Sequence, residues 1–259
     1  MKSIQQQLHR SLEFNDFYLV MQPIVRLDVG DECLEGECLI RWKHPLLGTI
    51  SPDVFIPIAE KHGLITDLGH WIIENACREL SGFIARGADR DFRMHVNVSS
   101  LQLQQARFAE DVLGVIKRYG LQGHNMCIEL TEGVLLKDIQ IALRHVSILQ
   151  AEGVMVSLDD FGTGYSCLSC LHSLPFDQIK LDRQFIRNLL VNKRNESIVA
   201  CVITLARSLD ATLVAEGIED QETGEKLREM GCILAQGYHY GRPQPFSDWK
   251  IMAESSITV

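Results

Sequence analysis

No stretch of this chain stays apolar long enough to span a membrane. The longest such run, near Ile198 to Ala206, has the length of a buried helix, and no membrane contact is expected from it. Positive charge is in deficit: 25 Lys and Arg against 34 Asp and Glu leave a net charge of −9, which argues against nonspecific binding to a DNA or RNA duplex. A phosphate-bearing ligand would then need a metal or a few placed basic residues. Metal-type cysteine spacing is also missing. Of eight cysteines only Cys167 and Cys170 form a C-x-x-C, inside a predicted helix and with no second pair nearby. The set reads as small buried hydrophobes, reduced in a cytoplasmic compartment. His44, His95, His172 and His239 have no His or Cys partner at ligand spacing and read as structural. Met1 to Arg10 is polar and glutamine-rich, unlike a signal peptide, so membrane or sensor parts of the natural protein would lie outside this chain. No Pro-, Ser- or Gly-rich linker divides it, which predicts one domain over 1–259, with 1–14 as a helix leading in.

What is present is a hydrophobic content of 46 %, enough for a real core, and a strand that ends in acid. Val154 to Leu158 is followed by Asp159, Asp160 and the Gly162-Thr163-Gly164 loop. Side chains alternate along a strand, so the two aspartates converge only if the strand stops between them and the backbone turns. Two like charges this close need a positive partner. The plain reading is a solvated Asp-Asp turn; the sharper one is half of a divalent-metal site.

The rest of the chain alternates. A helix over Ser3–Glu13 precedes strands over Phe17–Val25 and Cys33–Trp42, whose link is too short for a parallel crossover and predicts an antiparallel hairpin. Ser51-Pro52 opens a helix by N-cap and N1 chemistry. Further helices are predicted over Ile65–Ala85, Ala106–Tyr119, Ile139–Glu152, Cys167–Ser173, Glu196–Leu209 and Gln221–Met230. Strands are predicted over Phe92–Val98, Met126–Leu130, Asp177–Leu181, Thr212–Ala215 and Ile233–Ala235. About eight strands alternating with helices in 259 residues predict a modified TIM barrel, (β/α)8, with an antiparallel first strand.

Reactive groups in such barrels sit where strands end. Here those places carry Asn97, Glu129, Asp159, Asp160, Glu216 and Gln236, with Lys180 on the sixth strand and Gln22, Glu37, Leu39 and Arg41 on the hairpin. Buried carboxylates without partners cost several kcal/mol each, roughly, and a shared cation relieves that cost. Oxygen donors without His or Cys favour magnesium, manganese or calcium over zinc, and two adjacent aspartates suit a pair of ions about 3.5–4 Å apart.

These segments together resemble the EAL family of cyclic di-GMP phosphodiesterases: Gln22-Pro23-Ile24, Glu37-Cys38-Leu39-Ile40-Arg41-Trp42, Asn97-Val98-Ser99, Glu129-Leu130-Thr131-Glu132, Asp159 to Ser166, Lys180-Leu181-Asp182, Glu216-Gly217-Ile218-Glu219 and Gln236-Gly237-Tyr238. The resemblance implies hydrolysis of one phosphodiester bond of cyclic di-GMP to linear pGpG with one or two Mg2+ or Mn2+ ions, Ca2+ being inhibitory. It implies that Glu37, Asn97, Glu129 and Asp159 hold one ion and that Asp160 serves a second. It assigns Lys180 to orienting or helping deprotonate the attacking water, Glu216 and Glu37 to the catalytic cluster, and Gln22, Leu39, Arg41 and Gln236 to the substrate. Glu132 would support the catalytic loop. Glu219 either anchors a loop or caps the helix beginning at Asp220. Lys180 should stay protonated among carboxylates, its plain alternative being an ion pair with Asp182 or Asp159. Arg41 would clamp phosphate, its alternative being an ion pair; Glu60 reads as a surface or structural acid. Cys38 stands where the family has alanine, a change expected to be silent for metal binding. A homodimer through Ser166–Leu174 would tune the loop holding Asp160. The rival readings are a catalytically silent cyclic di-GMP receptor and, more weakly, a barrel lyase or isomerase acting on a sugar or acyl phosphate.

Overall fold

The computed structural model describes residues 4–14, 16–131, 133, 139–163, 171 and 174–249. Its architecture starts from the hairpin. Strands β1 (Phe17–Arg26) and β2 (Glu32–His44) run antiparallel with Gln22 opposite Glu37, and the turn between them takes left-handed backbone at Gly30 and Asp31. Strand β2 then pairs in parallel with β4 (Arg93–Asn97), followed in spatial order by β5 (Met126–Thr131), β6 (Met155–Phe161), β7 (Gln178–Leu181), β8 (Thr212–Glu216) and β9 (Leu234–Gln236), all parallel. Strand β9 closes on β1, again antiparallel. The result is a closed eight-stranded barrel in which β1 alone opposes the rest, as the short hairpin link predicts. A three-residue strand, β3 (Gly48–Ile50), extends β2 outside it.

The helices are α1 (Ile4–Glu13), α2 (Pro52–Lys61), α3 (Ile65–Ala85), α4 (Ser100–Leu103), α5 (Phe108–Arg118), α6 (Ile139–Ala151), α7 (Arg183–Ile186), α8 (Lys193–Ser208) and α9 (Gln221–Glu229). Helix α3 buries Leu68, Ile72, Ile73, Ala76 and Leu80, the stripe its helical spacing predicts. Aromatic packing joins the hairpin to α2: Phe17 stacks on Trp42 at 5.6 Å, and Phe55 meets both rings. Trp42 Nε1 donates to Ser11 Oγ (3.0 Å), which ties α1 to β2. None of the described helices is long and apolar enough to cross a membrane.

Several boundaries differ from the sequence reading. Elements β3, α4 and α7 have four residues or fewer, too few to show a period, and were not expected. Pro52 does sit at N1 of α2, but the Ser51 hydroxyl turns to Asp53 instead of capping. Apart from Leu171 and Leu174, the predicted helix over Cys167–Ser173 with its C-x-x-C and His172, the expected dimer segment Ser166–Leu174, and Glu132 lie outside the described residues.

Candidate active site

A TIM-type barrel normally fills its interior with branched aliphatic side chains. This one carries polar groups there. Strands β2 and β7 lie on opposite sides of the barrel, so the bond from Gln178 Nε2 to Glu35 Oε2 (3.0 Å) crosses its interior. Above that level Lys180 sits with its side chain 1 % exposed and its Nζ 2.8 Å from Glu129 Oε1, 2.8 Å from Glu216 Oε1, 3.3 Å from Glu37 Oε2 and 3.6 Å from Asp159 Oδ1. Four strands thus deliver four carboxylates to one ammonium.

The remaining polar atoms are tied in. Asn97 Nδ2 donates to Glu37 Oε1 (2.8 Å), leaving the amide oxygen of Asn97 as its free acceptor. Gln236 Nε2 donates to Glu37 Oε2 (2.8 Å) and to Gln22 Oε1 (3.3 Å), and Gln22 donates to the Gly241 carbonyl. Gln236 belongs to β9 itself, whereas the sequence reading ended that strand one residue earlier.

The aspartate pair converges by a route the sequence reading did not foresee. Strand β6 does not stop between Asp159 and Asp160; it runs through both to Phe161. Its register against β7 shifts between Leu158 and Phe161, and Asp160 takes φ +55°, a left-handed bulge that re-aims one side chain. As a result one carboxylate oxygen from each of Asp159, Asp160 and Glu216 lies within 4.8 Å of the others. Gly162 follows at φ +93°, where a Cβ would stand 2.7 Å from the Phe185 ring.

Charge in this cluster is unbalanced. Burial alone would depress Lys180, but Asp159, Glu129, Glu216 and Glu37 outweigh it and hold the ammonium well above its ordinary value. Burial would raise Glu37, yet Lys180 and the amides of Gln236 and Asn97 bring it below the usual carboxylate range. Burial leaves Glu129 and Glu216 raised despite Lys180, and burial together with Asp159 pushes Asp160 up to about 6. One cation does not neutralise five acids. Glu129 Oε2 is moreover buried and without a hydrogen-bond partner among the described residues. An orphaned carboxylate oxygen, excess negative charge and an all-oxygen donor set fit a hard divalent ion.

Beside the cluster opens a cleft of about 510 Å³ lined by Leu39, Ile56, Glu60, Asn97, Asp159 and Asp160. Glu60, read from sequence as a surface or structural acid, stands on its wall. The Arg41 guanidinium donates to the Ile40 carbonyl (2.9 Å) and forms no ion pair among the described residues. Asp182 does not partner Lys180: its carboxylate caps α7 by accepting from Gln184 N (2.9 Å). The cap of α9 is Asp220, accepting from Thr223 N (2.8 Å), while Glu219 is exposed and caps nothing.

Two functional candidates escaped sequence reasoning. Glu35 lies two residues before Glu37, on the same inward face, and accepts from Arg93 Nη1 (2.5 Å), Gln178 and His95 Nε2 (2.8 Å). Burial would raise it, but His95 and Arg93 hold it at about 2. His95, fully buried, presents its other nitrogen, Nδ1, to Glu129 Oε1 (3.1 Å). The signal was alternation: strands β2 and β4 place residues 35, 37, 95 and 97 inward together.

The EAL domain family matches residues 5–243 of the chain. Among curated relatives, the bifunctional diguanylate cyclase/cyclic di-GMP phosphodiesterase MucR of Pseudomonas aeruginosa is 37 % identical over 92 % of this chain and 34 % of its own length. The cyclic di-GMP phosphodiesterase NbdA of the same organism is 36 % identical over 94 % of this chain and 31 % of its own. The chain thus spans about a third of these relatives. Among solved structures, the PaMucR phosphodiesterase in complex with c-di-GMP superposes with a TM-score of 0.86 at 36 % identity, covering 94 % of this chain and 98 % of that one. By sequence and by fold, the chain belongs to the EAL domain family.

Proposed function

We propose that this protein hydrolyses one phosphodiester bond of cyclic di-GMP to linear pGpG, with Mg2+ or Mn2+ held by Glu37, Asn97, Glu129 and Asp159, and with Asp160 serving a second ion that shares Asp159. The observation that carries this reading is the over-acidic cluster around Lys180, with Glu129 Oε2 buried and without a partner among the described residues. The supporting cleft falls in the roughly 300–1,000 Å³ range of small-molecule sites. When bound, the ion would neutralise the phosphodiester oxygens and lower the pKa of an attacking water.

The chain's own residues supply the rest. Lys180 keeps its proton, so its task is to donate: it orients the water or meets developing negative charge, and it is not a free base. Glu216, 2.8 Å from Lys180 and raised toward neutrality, is suited to share a proton with that water. Leu39 offers an apolar wall in the cleft, and Gln22 and Gln236 offer amides beside Glu37. Arg41, with no carboxylate partner among the described residues, has its guanidinium fork available for a phosphate. Glu132 takes the loop-support role that the family resemblance implies and Glu219 the loop-anchoring one, and the protein acts as a cytoplasmic homodimer.

The test is turnover of cyclic di-GMP by the purified chain with Mg2+ or Mn2+, with Ca2+ and with chelator. The expected outcome is linear pGpG with Mg2+ or Mn2+, and none with Ca2+ or chelator. Tight binding without product under every condition would establish a receptor instead. Turnover of a small sugar phosphate in place of cyclic di-GMP would support the lyase or isomerase reading.

A further inference from the structure

Below the acidic cluster runs a second polar assembly. Arg93 and Gln178 donate to Glu35; Glu35 faces His95 Nε2 at 2.8 Å; His95 Nδ1 faces Glu129 Oε1 at 3.1 Å. Every link spans two strands, and His95 and Gln178 are within 1 % of complete burial. A histidine wholly enclosed and engaged at both nitrogens has no freedom to rotate, and the far end of its ring is pinned through Glu35.

The consequence falls on Glu129. Its Oε1 receives both His95 Nδ1 and Lys180 Nζ, from different strands, while Oε2 has no partner among the described residues. Contacts from two strands on one oxygen, 3.1 Å from His95 Nδ1 and 2.8 Å from Lys180 Nζ, fix the rotation of the carboxylate about its final bond and so fix the direction in which the other oxygen points. Lys180 alone does not set that angle, because its ammonium is shared with Glu37, Asp159 and Glu216. Groups behind a metal ligand commonly set its orientation in this way.

We propose that His95, backed by Glu35, is a positioning residue that aims Glu129 Oε2 at the divalent ion. This rests on the metal reading above and adds to it a residue outside the ligand set. The plain alternative is that His95 only fills the barrel interior and satisfies Glu35.

Two substitutions separate these. Asparagine carries its amide nitrogen as close to Cβ as Nδ1, so His95→Asn keeps the bond to Glu129 and loses Glu35. Glutamine carries its nitrogen at the reach of Nε2, so His95→Gln keeps Glu35 and loses Glu129. Both shrink the side chain, asparagine more than glutamine, so any loss of stability is expected to be larger in His95→Asn. Mn2+ affinity of the full chain is measured by calorimetry or by the Mn2+ resonance signal, without substrate, with thermal melting as the fold control. The expected result is that His95→Gln weakens Mn2+ binding by about 10–100-fold, whereas His95→Asn, which loses only the Glu35 backing, weakens it no more than severalfold. Equal affinities in the two variants, whether both weakened or both intact, would overturn the proposal. If neither variant folds, Glu35→Gln is titrated in the same way; an affinity matching wild type overturns it and a severalfold loss supports it. Wild-type protein that binds no Mn2+ overturns the metal reading, and this inference with it.

Discussion

Lys180 is the residue on which the proposed chemistry turns, because four strands each direct a carboxylate at its ammonium. Lys180→Met should lower turnover of cyclic di-GMP by about 10²–10³-fold, the loss typical of one donor aimed at developing charge, with measurable substrate binding retained. Full turnover in that variant would remove the lysine from the mechanism. The raised carboxyls around it give a second expectation. Asp160 lies near 6 and Glu216 is raised as well, so at acidic pH a proton occupies oxygens that a cation needs. Divalent-ion affinity should therefore climb as pH rises through about 6 and continue climbing above it, with proton release on binding that calorimetry in buffers of different ionisation heat reads directly. A flat profile would mean that Asp160 does not hold an ion and that Glu216 does not stand beside one. At this scale the sequence was informative wherever a polar residue closed a strand, as at Asn97, Glu129 and Asp159. It was silent for Glu35 and His95, which lie one layer deeper. A strand interior normally holds packing residues, and only closure of the barrel brings β2, β4, β5 and β7 to one axis.

At the scale of elements, the turn after β6 does the positioning. Gly162 combines φ +93° with a Phe185 ring in the space a Cβ would take. Gly162→Ala should destabilise by more than about 1 kcal/mol, lower the melting temperature by about 2–4 °C or more, and reduce turnover by shifting Asp160. A variant with unchanged melting and activity would show that the bulge tolerates the strain. Helix α9 offers a cleaner comparison. Asp220→Ala removes its cap and should cost about 0.5–2 kcal/mol in denaturant titration, while Glu219→Ala should stay within about 0.5 kcal/mol. The antiparallel hairpin and the order of helices and strands were legible, since link length and hydrophobic period are local properties. The bulge at Asp160 was not: a strand that ends and a strand that kinks have the same composition. Nor were β3, α4 and α7, whose few residues show no period.

The whole molecule joins an apolar shell between barrel and helices to a charged barrel interior. The cysteines report on the shell. Burial pushes the Cys33, Cys77 and Cys232 thiols up to about 12, whereas Cys201 is exposed on α8. Mass spectrometry after brief alkylation of the folded chain should find Cys201 modified and Cys33, Cys77 and Cys232 protected until denaturant is added; early labelling of the three would contradict the packing described. The chain spans about a third of the length of these curated relatives. What the barrel encodes is the gathering of acids from separate strands into one pocket. Crystals soaked in Mn2+ and measured at the manganese absorption edge test that most directly. An anomalous peak bounded by Glu37, Asn97, Glu129 and Asp159 is expected; an absent peak there, with the crystals intact and the ion in excess, would contradict the proposed metal site.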